Sequence, residues 1–566
     1  MGSESATKSL LLRKEEDDEA PLLLRFSSRG SELQRPKGKN YEFWVWLQQE
    51  LFEQFRIAGP MILVNCLLFL LRVIPLMFVG HLGELAFSSS QIALAIAAAT
   101  GVNVMIGLAS GLETLCGQAN GAKEYKLTGI FLQKAVFVLV LICFPISFLW
   151  WNIAPILMFM GQDPDISLGA QEFSRFLIPS LFAYAFLQPL VSFLQTQGAV
   201  NAMMVFSGLT LVIHIPLCYL LVYHIEGGLR GAAVALGISL WINVLLLAAY
   251  VMFSPTCKKT WTGFSSAAFE DIYSFLKIAV PSTIMICLEN WCFEFFILMS
   301  GLLPNPELEA SALAVCLNTV SLIYMVPFGL SAAVSTRVSN NLGAGLPYSA
   351  KASVKMAISL TLVIGCTLCI LLISLRHAFP YLFTSDLDVV SYVSGMVPLL
   401  AVEALLDSCQ ATLSGVARGC GWQHLAAYSN LCAFYCIGIP VGLLMTFHFN
   451  YHGYGLWIGI ICGLFTQVCL LSSITCSLDW QKLSDTAAEL VHGAKDHYDA
   501  LPEVDVLRRI GETTSEAVDG AEKDFAIGIV LIEDGVYIAA VVGVKKLEPC
   551  KLKRRLYADL PCFRSL

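Results

Sequence analysis

From residue 57 onward the chain runs in long apolar stretches, each closed by a short polar connector. Twelve stand out, roughly 57–79, 88–115, 129–151, 170–195, 200–223, 231–253, 272–301, 310–335, 352–374, 391–416, 424–447 and 454–478. A bilayer core takes about 20 apolar residues per helix. Lipid offers no hydrogen bonds, so each stretch must be a helix that satisfies its own backbone. The connectors are brief, as in "GHLGEL" and "GQANGAKEY". The pattern predicts an all-α polytopic membrane protein with twelve transmembrane helices.

The helices fall into two related sets. "RIAGP" (56–60) opens the first and "KIAVP" (277–281) the seventh, 221 residues on; Gly198 and Gly419 keep that spacing, and Pro179 and Pro398 lie 219 apart. A near-constant offset over half the chain predicts two pseudo-symmetric six-helix lobes in parallel repetition, related by an axis along the membrane normal. The expected layout is an N-terminal tail (1–41), an N-lobe (42–254), a linker (255–271), a C-lobe (272–480) and a C-terminal tail (481–566). The run "YEFWVWLQQELFEQFR" (41–56) reads as an interfacial approach to the first helix, with Trp44 and Trp46 at the headgroups.

Composition agrees with this. Of 566 residues 56% are hydrophobic and only 14% charged, against about 25% charged in soluble domains. The charge gathers in the two tails, so the net −8 says little about partners. No clustered basic face is present, which argues against nucleic acid. The 19 cysteines sit singly in apolar runs, without metal-ligand spacing, and read as small core hydrophobes. The acidic N-terminus lacks the basic patch of a cleaved signal peptide. Connectors after even-numbered helices carry Lys123, Lys126, Lys258, Lys259, Arg337, Lys351 and Arg418, whereas those after odd-numbered helices carry Arg230 and Arg376 against four aspartates. The positive-inside rule then puts both termini in the cytosol.

The candidate chemistry is acidic and one-sided. Glu289 and Glu294 interrupt the seventh helix, and Glu403 and Asp407 the tenth; Glu289 aligns with Leu68 in the first repeat, and Asp407 with Phe186 or Gln188. Charges at bilayer depth are costly and mark ion pathways. Carboxyls in dry surroundings exchange protons nearer neutral pH than in water, so Glu289 and Asp407 are the candidate proton and substrate sites. The structural alternative is that these acids pair with Asn290, Asn318 or backbone and stiffen helix packing. Glu403 and Asp407 share a helical face, while Glu289 and Glu294, about 140° apart, do not. Arg72, beside Pro75, either senses substrate charge, pairs with an acid or snorkels. His214 reads as a core histidine. Gln195, Asn318, Tyr324 and Trp291 are candidate cleft walls for flat organic molecules, and single aromatics in such helices are otherwise packing.

The stretches "GPMILVN", "MFVGHLGEL", "ETLCGQANGAKEY", "FLQTQG", "MSGLLPNPELE", "YMVPFGLSAAVSTRVSNNLGAG" and "TLSGVARGCGWQ" resemble the multidrug and toxic compound extrusion family, in its plant DETOXIFICATION branch, over about residues 42–490. The resemblance implies a twelve-helix antiporter that exports organic compounds against protons or sodium, the plant members resembling proton-coupled ones. Glu289 stands in the family's "CLE-x-W" position, and Asp407 at the helix-10 site nine residues before "VARG". Asn290, Arg72 and Pro75 depart from the family pattern, and Asn318 stands where some animal relatives have an acid. From about residue 491 the tail does not resemble the family. "FAIGIVLIEDGVYIAAVVGVKK" (525–546), with Glu533, Asp534 and Gly535, reads as a β-hairpin. "DEAPLL" (18–23) fits an acidic dileucine sorting signal.

The expected function is proton-coupled efflux of amphipathic organic solutes by alternating access, with protons rather than sodium as coupling ion, no other cofactor, and a chain functional as a monomer. The address is the vacuolar or the plasma membrane. Rival readings are an organic-anion exporter, favoured by Arg72, a lipid or oligosaccharide flippase, and a membrane receptor that binds without flux. No paired nucleophile and base, metal cluster or phosphate loop points to an enzyme.

Overall fold

A computed structural model describes residues 40–382 and 386–500. The dileucine signal and the hairpin lie outside the described residues. Twelve helices among those described are long and apolar enough to cross a membrane. The first six are α1 (Asn40–Gly80), α2 (Glu84–Gly121), α3 (Tyr125–Trp151), α4 (Pro164–Thr196), α5 (Val200–His224) and α6 (Gly228–Phe253). The second six are α7 (Ile272–Ser300), α8 (Pro306–Gly343), α9 (Pro347–Leu375), α10 (Leu387–Cys420), α11 (Gln423–His448) and α12 (His452–Ser477). Each predicted stretch falls on one of them. An additional helix, α13 (Trp480–Asp499), follows.

The repeat is visible in the backbone as well as the sequence. A five-residue π segment ends α5 (Leu220–His224) and another ends α11 (Leu444–His448), at matching places in the two lobes. The lobes differ where α2 carries a π segment at Ala98–Val102, and α11 one at Leu431–Gly438. Such bulges frequently mark functional positions in helices. Pro75 in α1 removes a donor and frees the Leu71 carbonyl. The buried ring of His214 in α5 answers it, lying against the Leu71 and Ala235 carbonyls with Nδ1 2.7 Å from Ser239 Oγ. His214 is a core histidine.

The approach run does not lie apart from α1. Residues 41–56 contain neither Gly nor Pro, so the helix continues through them, and its start reaches across to the other lobe. Buried Glu50 takes Nε of Arg337 in α8 at 3.2 Å and the Ser353 hydroxyl of α9 at 2.7 Å, and Gln54 Nε2 donates to the Ser353 carbonyl at 2.7 Å. The segment joining the lobes folds back on α3: Gln133 holds Gly263 and Ser265, and Lys134 donates to the Asp271 carbonyl at 3.2 Å. The face of the bundle at this segment is called the linker face below.

In the second lobe the apolar core is split in two. One cluster gathers Cys292, Val320, Ala404, Phe434 and Leu464; the other, nearer the linker face, gathers Met285, Val334, Leu413, Ala427 and Leu471. Trp480 and Ala487 of α13 join the second cluster, and Ser484 donates to the Leu342 carbonyl at 3.3 Å. Thus α13 caps that end of the lobe where a solvated tail was expected to begin.

Candidate functional site

Six helices pass from one apolar cluster to the other, and five of them carry the polar side chains that gather at the crossing. These are Glu289 on α7, Tyr324 on α8, Asp407 and Gln410 on α10, Asn430 on α11 and Gln467 on α12. Glu289 is half-buried. Its Oε2 accepts from Gln410 Nε2 at 2.6 Å and from Asn430 Nδ2 at 3.5 Å. Asn430 also donates to the Met285 carbonyl at 2.8 Å, and Gln467 Nε2 donates to Asn430 Oδ1 at 2.7 Å. A carboxylate whose hydrogen bonds come from neutral amides, with Arg418 acting on it only at longer range, has its charge compensated only in part, an arrangement that stores cost in a low-dielectric layer.

Asp407, 5% exposed, lies within electrostatic reach of Glu289, and Tyr324 within reach of both. One turn before it, Glu403 is fully buried with neither carboxylate oxygen partnered among the described residues. The expected alternative partners do not hold these acids: Asn290 donates to the Ile286 carbonyl of its own helix, and exposed Asn318 to that of Ala314. Glu294 is half-buried on another side of α7.

The lobes meet at the linker face through a second polar set. Arg418 of α10 sends Nε to Glu113 Oε2 of α2 at 3.0 Å and a terminal nitrogen to Ser331 Oγ at 2.8 Å. Thr114 donates to the Arg418 carbonyl, and Gln423 Nε2 to Thr114 Oγ1 at 2.7 Å. Asn120 and Asn340, near the ends of α2 and α8, touch at 3.3 Å and both donate to the Thr196 carbonyl. Gly343 makes the approach possible, since a Cβ there would lie 2.0 Å from the Gln118 carbonyl. Gln195 belongs here and not on an open wall: it is buried, donating to the Ala332 carbonyl at 3.1 Å. Trp291 spans the lobes deeper in, its Nε1 donating to the Ala99 carbonyl of the α2 π segment at 3.0 Å. Arg72 lies apart from the acids, on α1, 5.7 Å from the Phe69 ring.

The MatE family profile matches residues 60–220 and again 281–444, two segments whose starts are 221 residues apart. This chain belongs to the MatE family. It is 47% identical over 448 residues to Protein DETOXIFICATION 16 of Arabidopsis thaliana, covering 79% of this chain and 92% of that one. Protein DETOXIFICATION 17 of the same plant is 45% identical over 452 residues, with 80% and 95% covered. The crystal structure of the eukaryotic MATE transporter AtDTX14 superposes with a TM-score of 0.77 at 46% identity, covering 79% of this chain and 99% of that one. A multidrug resistance MATE family transporter solved in an outward-facing conformation shares the fold at 17% identity, with a TM-score of 0.66 over 78% of this chain and 97% of that one.

The chain is therefore a multi-pass MatE transporter that extrudes compounds, and its relatives are transporters rather than enzymes. Sequence reasoning found the acids and overlooked what touches them. Gln410, Asn430 and Gln467 were visible as polar residues within the apolar runs of α10, α11 and α12. Arg337 and Arg418 were counted as connector charges, but half-buried Arg337 pairs with Glu50 and buried Arg418 with Glu113. Arg230 likewise pairs with Glu172, beside Trp151 and Arg175 at the opposite face.

Proposed function

We propose that this MatE protein is a proton-coupled antiporter that exports amphipathic organic solutes by alternating access. The observation that carries the reading is the polar layer around Glu289, whose Oε2 is held by the Gln410 amide at 2.6 Å between two dry clusters. A carboxyl there is in one charge state when it faces solvent and another when the lobe closes over it, because a bare buried charge is costly. Asp407 and Tyr324 sit close enough to share that change; Glu403, Glu294, Trp291 and Asn318 are secondary positions along the same lobe. The remaining linker-face lysines, Lys123, Lys126, Lys258, Lys259 and Lys351, support a cytosolic linker face and cytosolic termini. In that orientation the lobes are closed toward the cytosol.

The test uses sealed vesicles carrying the purified protein, an imposed pH gradient and a fluorescent organic cation. Gradient-driven accumulation by the wild type, lost in Glu289→Gln, is the expected result. Accumulation retained in Glu289→Gln and in Asp407→Asn would remove both acids from the coupling path. A second reading, export of organic anions on the same scaffold, is favoured by one observation, the cation Arg72 inside the first lobe.

A further inference from the structure

Along α1, Leu63, Leu70 and Met77 form an exposed row. Asn65, Arg72 and Val79, two positions on, form a second row about 200° round the helix, on the nearly opposite side. Val79 is wholly buried and Asn65 only 9% exposed, so this second row turns into the protein and carries Arg72 with it. Arg72 is half-buried, and its guanidinium lies within electrostatic reach of the Tyr184 hydroxyl on α4. Snorkelling to the lipid headgroups is the usual refuge of a membrane arginine, and it would require the other side of the helix.

No carboxylate among the described residues pairs with Arg72. The sequence accounts for this, because residues 54–83, 85–112, 125–162, 176–225 and 231–253 contain neither Asp nor Glu. Four acids of the first six helices are already taken, Glu50 by Arg337, Glu53 by Arg56, Glu113 by Arg418 and Glu172 by Arg230. Two turns from Arg72, on the same face, Asn65 Nδ2 is a buried donor without an acceptor. A fixed cation and an unanswered N–H on one interior face, among helix stretches without Asp or Glu, have the charge and donor pattern that a carboxylate or sulfate satisfies.

We propose that this face of α1 is an anion subsite. Arg72, with Asn65 and Tyr184 as neutral partners, takes the carboxylate or sulfate of an amphipathic organic anion whose apolar body rests against Phe69. This rests on the export reading above and adds an anionic class to its solutes: protons are handled by the acids of the second lobe, and the anionic end of such a solute by the first.

The test compares two dyes that share a fluorophore and differ in charge, dansylglycine (anionic) and dansylcadaverine (cationic), by equilibrium fluorescence binding to the purified full-length protein. Wild type binds dansylglycine, and Arg72→Gln lowers its affinity relative to dansylcadaverine by about tenfold or more, the loss of one charge-assisted contact. Arg72→Lys, which keeps the charge but not the fork, recovers part of the preference. An affinity ratio that Arg72→Gln leaves unmoved, or no dansylglycine binding by wild type, overturns the subsite. Should Arg72→Gln fail to give a monodisperse protein, Asn65→Ala decides: the ratio must fall several-fold, and a constant ratio rejects the proposal. Vesicle uptake separates the two readings. Arg72-dependent binding without pH-driven uptake keeps the subsite and removes proton coupling, whereas pH-driven uptake with a charge preference indifferent to Arg72 does the reverse.

Discussion

Arg418 Nε of the second lobe lies 3.0 Å from Glu113 Oε2 of the first, and both side chains are buried. The pair spans the boundary that must open if the lobes alternate, so it belongs to the closed linker face alone. Breaking a buried pair by removing one partner costs about 3–5 kcal/mol, because the other charge is left uncompensated. Arg418→Gln should therefore destabilise the linker-closed arrangement by that order. The expected readout is faster maleimide labelling of Ser339→Cys, whose position packs against Gly117 across the same boundary. Glu113→Gln combined with Arg418→Gln should be milder than either change alone, as the two sites are in contact. Additive effects would mean that the pair carries no coupling.

The linker segment offers a pH prediction. Cys257, just beyond α6, is buried, and burial pushes its thiol from about 9 up to about 11. Only the thiolate reacts, so at pH 8 folded protein should leave Cys257 unmodified while denatured protein labels it fully, read by mass spectrometry of the peptide. The sign for stability follows from linkage. The folded value is raised, so the contribution is whole below about pH 9 and is lost as pH rises toward about 11, where the unfolded chain alone is ionised. Cys257→Ala should flatten that alkaline decline in melting temperature. An unchanged decline would place its cause elsewhere.

How much of this was legible beforehand differs by the range of the interaction. The twelve helices were, because bilayer length and hydropathy are local properties of "MICLENWCFEFFILMSG" or any other stretch. The two-lobe repeat was too, from the near-constant offset of "RIAGP" and "KIAVP", Gly198 and Gly419, and Pro179 and Pro398. Glu289 and Asp407 stood out because an acid in an apolar run is conspicuous. Their surroundings were not legible: Gln410 touches Glu289 across 121 residues, and Arg418 finds Glu113 across 305. No helical periodicity encodes such pairings. The helix α13 was missed for the opposite reason, since its charged face resembles a solvated tail, and only its contacts with Leu342 and the second apolar cluster reveal the buried side.

Glu403 separates stability from function. It is wholly buried, both its carboxylate oxygens lack partners among the described residues, and it lies one turn from Asp407 on the same face of α10. Purely structural residues do not keep such a group, because burying a polar atom without a hydrogen bond costs about 1–3 kcal/mol. Replacing it with leucine removes that cost at similar volume, so Glu403→Leu should raise the melting temperature of the purified protein. If the carboxyl also serves as a way station for protons beside Asp407, the same substitution should slow pH-driven uptake several-fold while solute binding persists. The expected outcome is thus a more stable, slower transporter, the usual exchange at a functional site held under strain. A variant that is both more stable and equally fast would show Glu403 to be dispensable and confine proton exchange to Glu289 and Asp407. A variant that is less stable would mean that the buried carboxyl is satisfied by water, and that the layer around Asp407 is wetter than the flanking clusters.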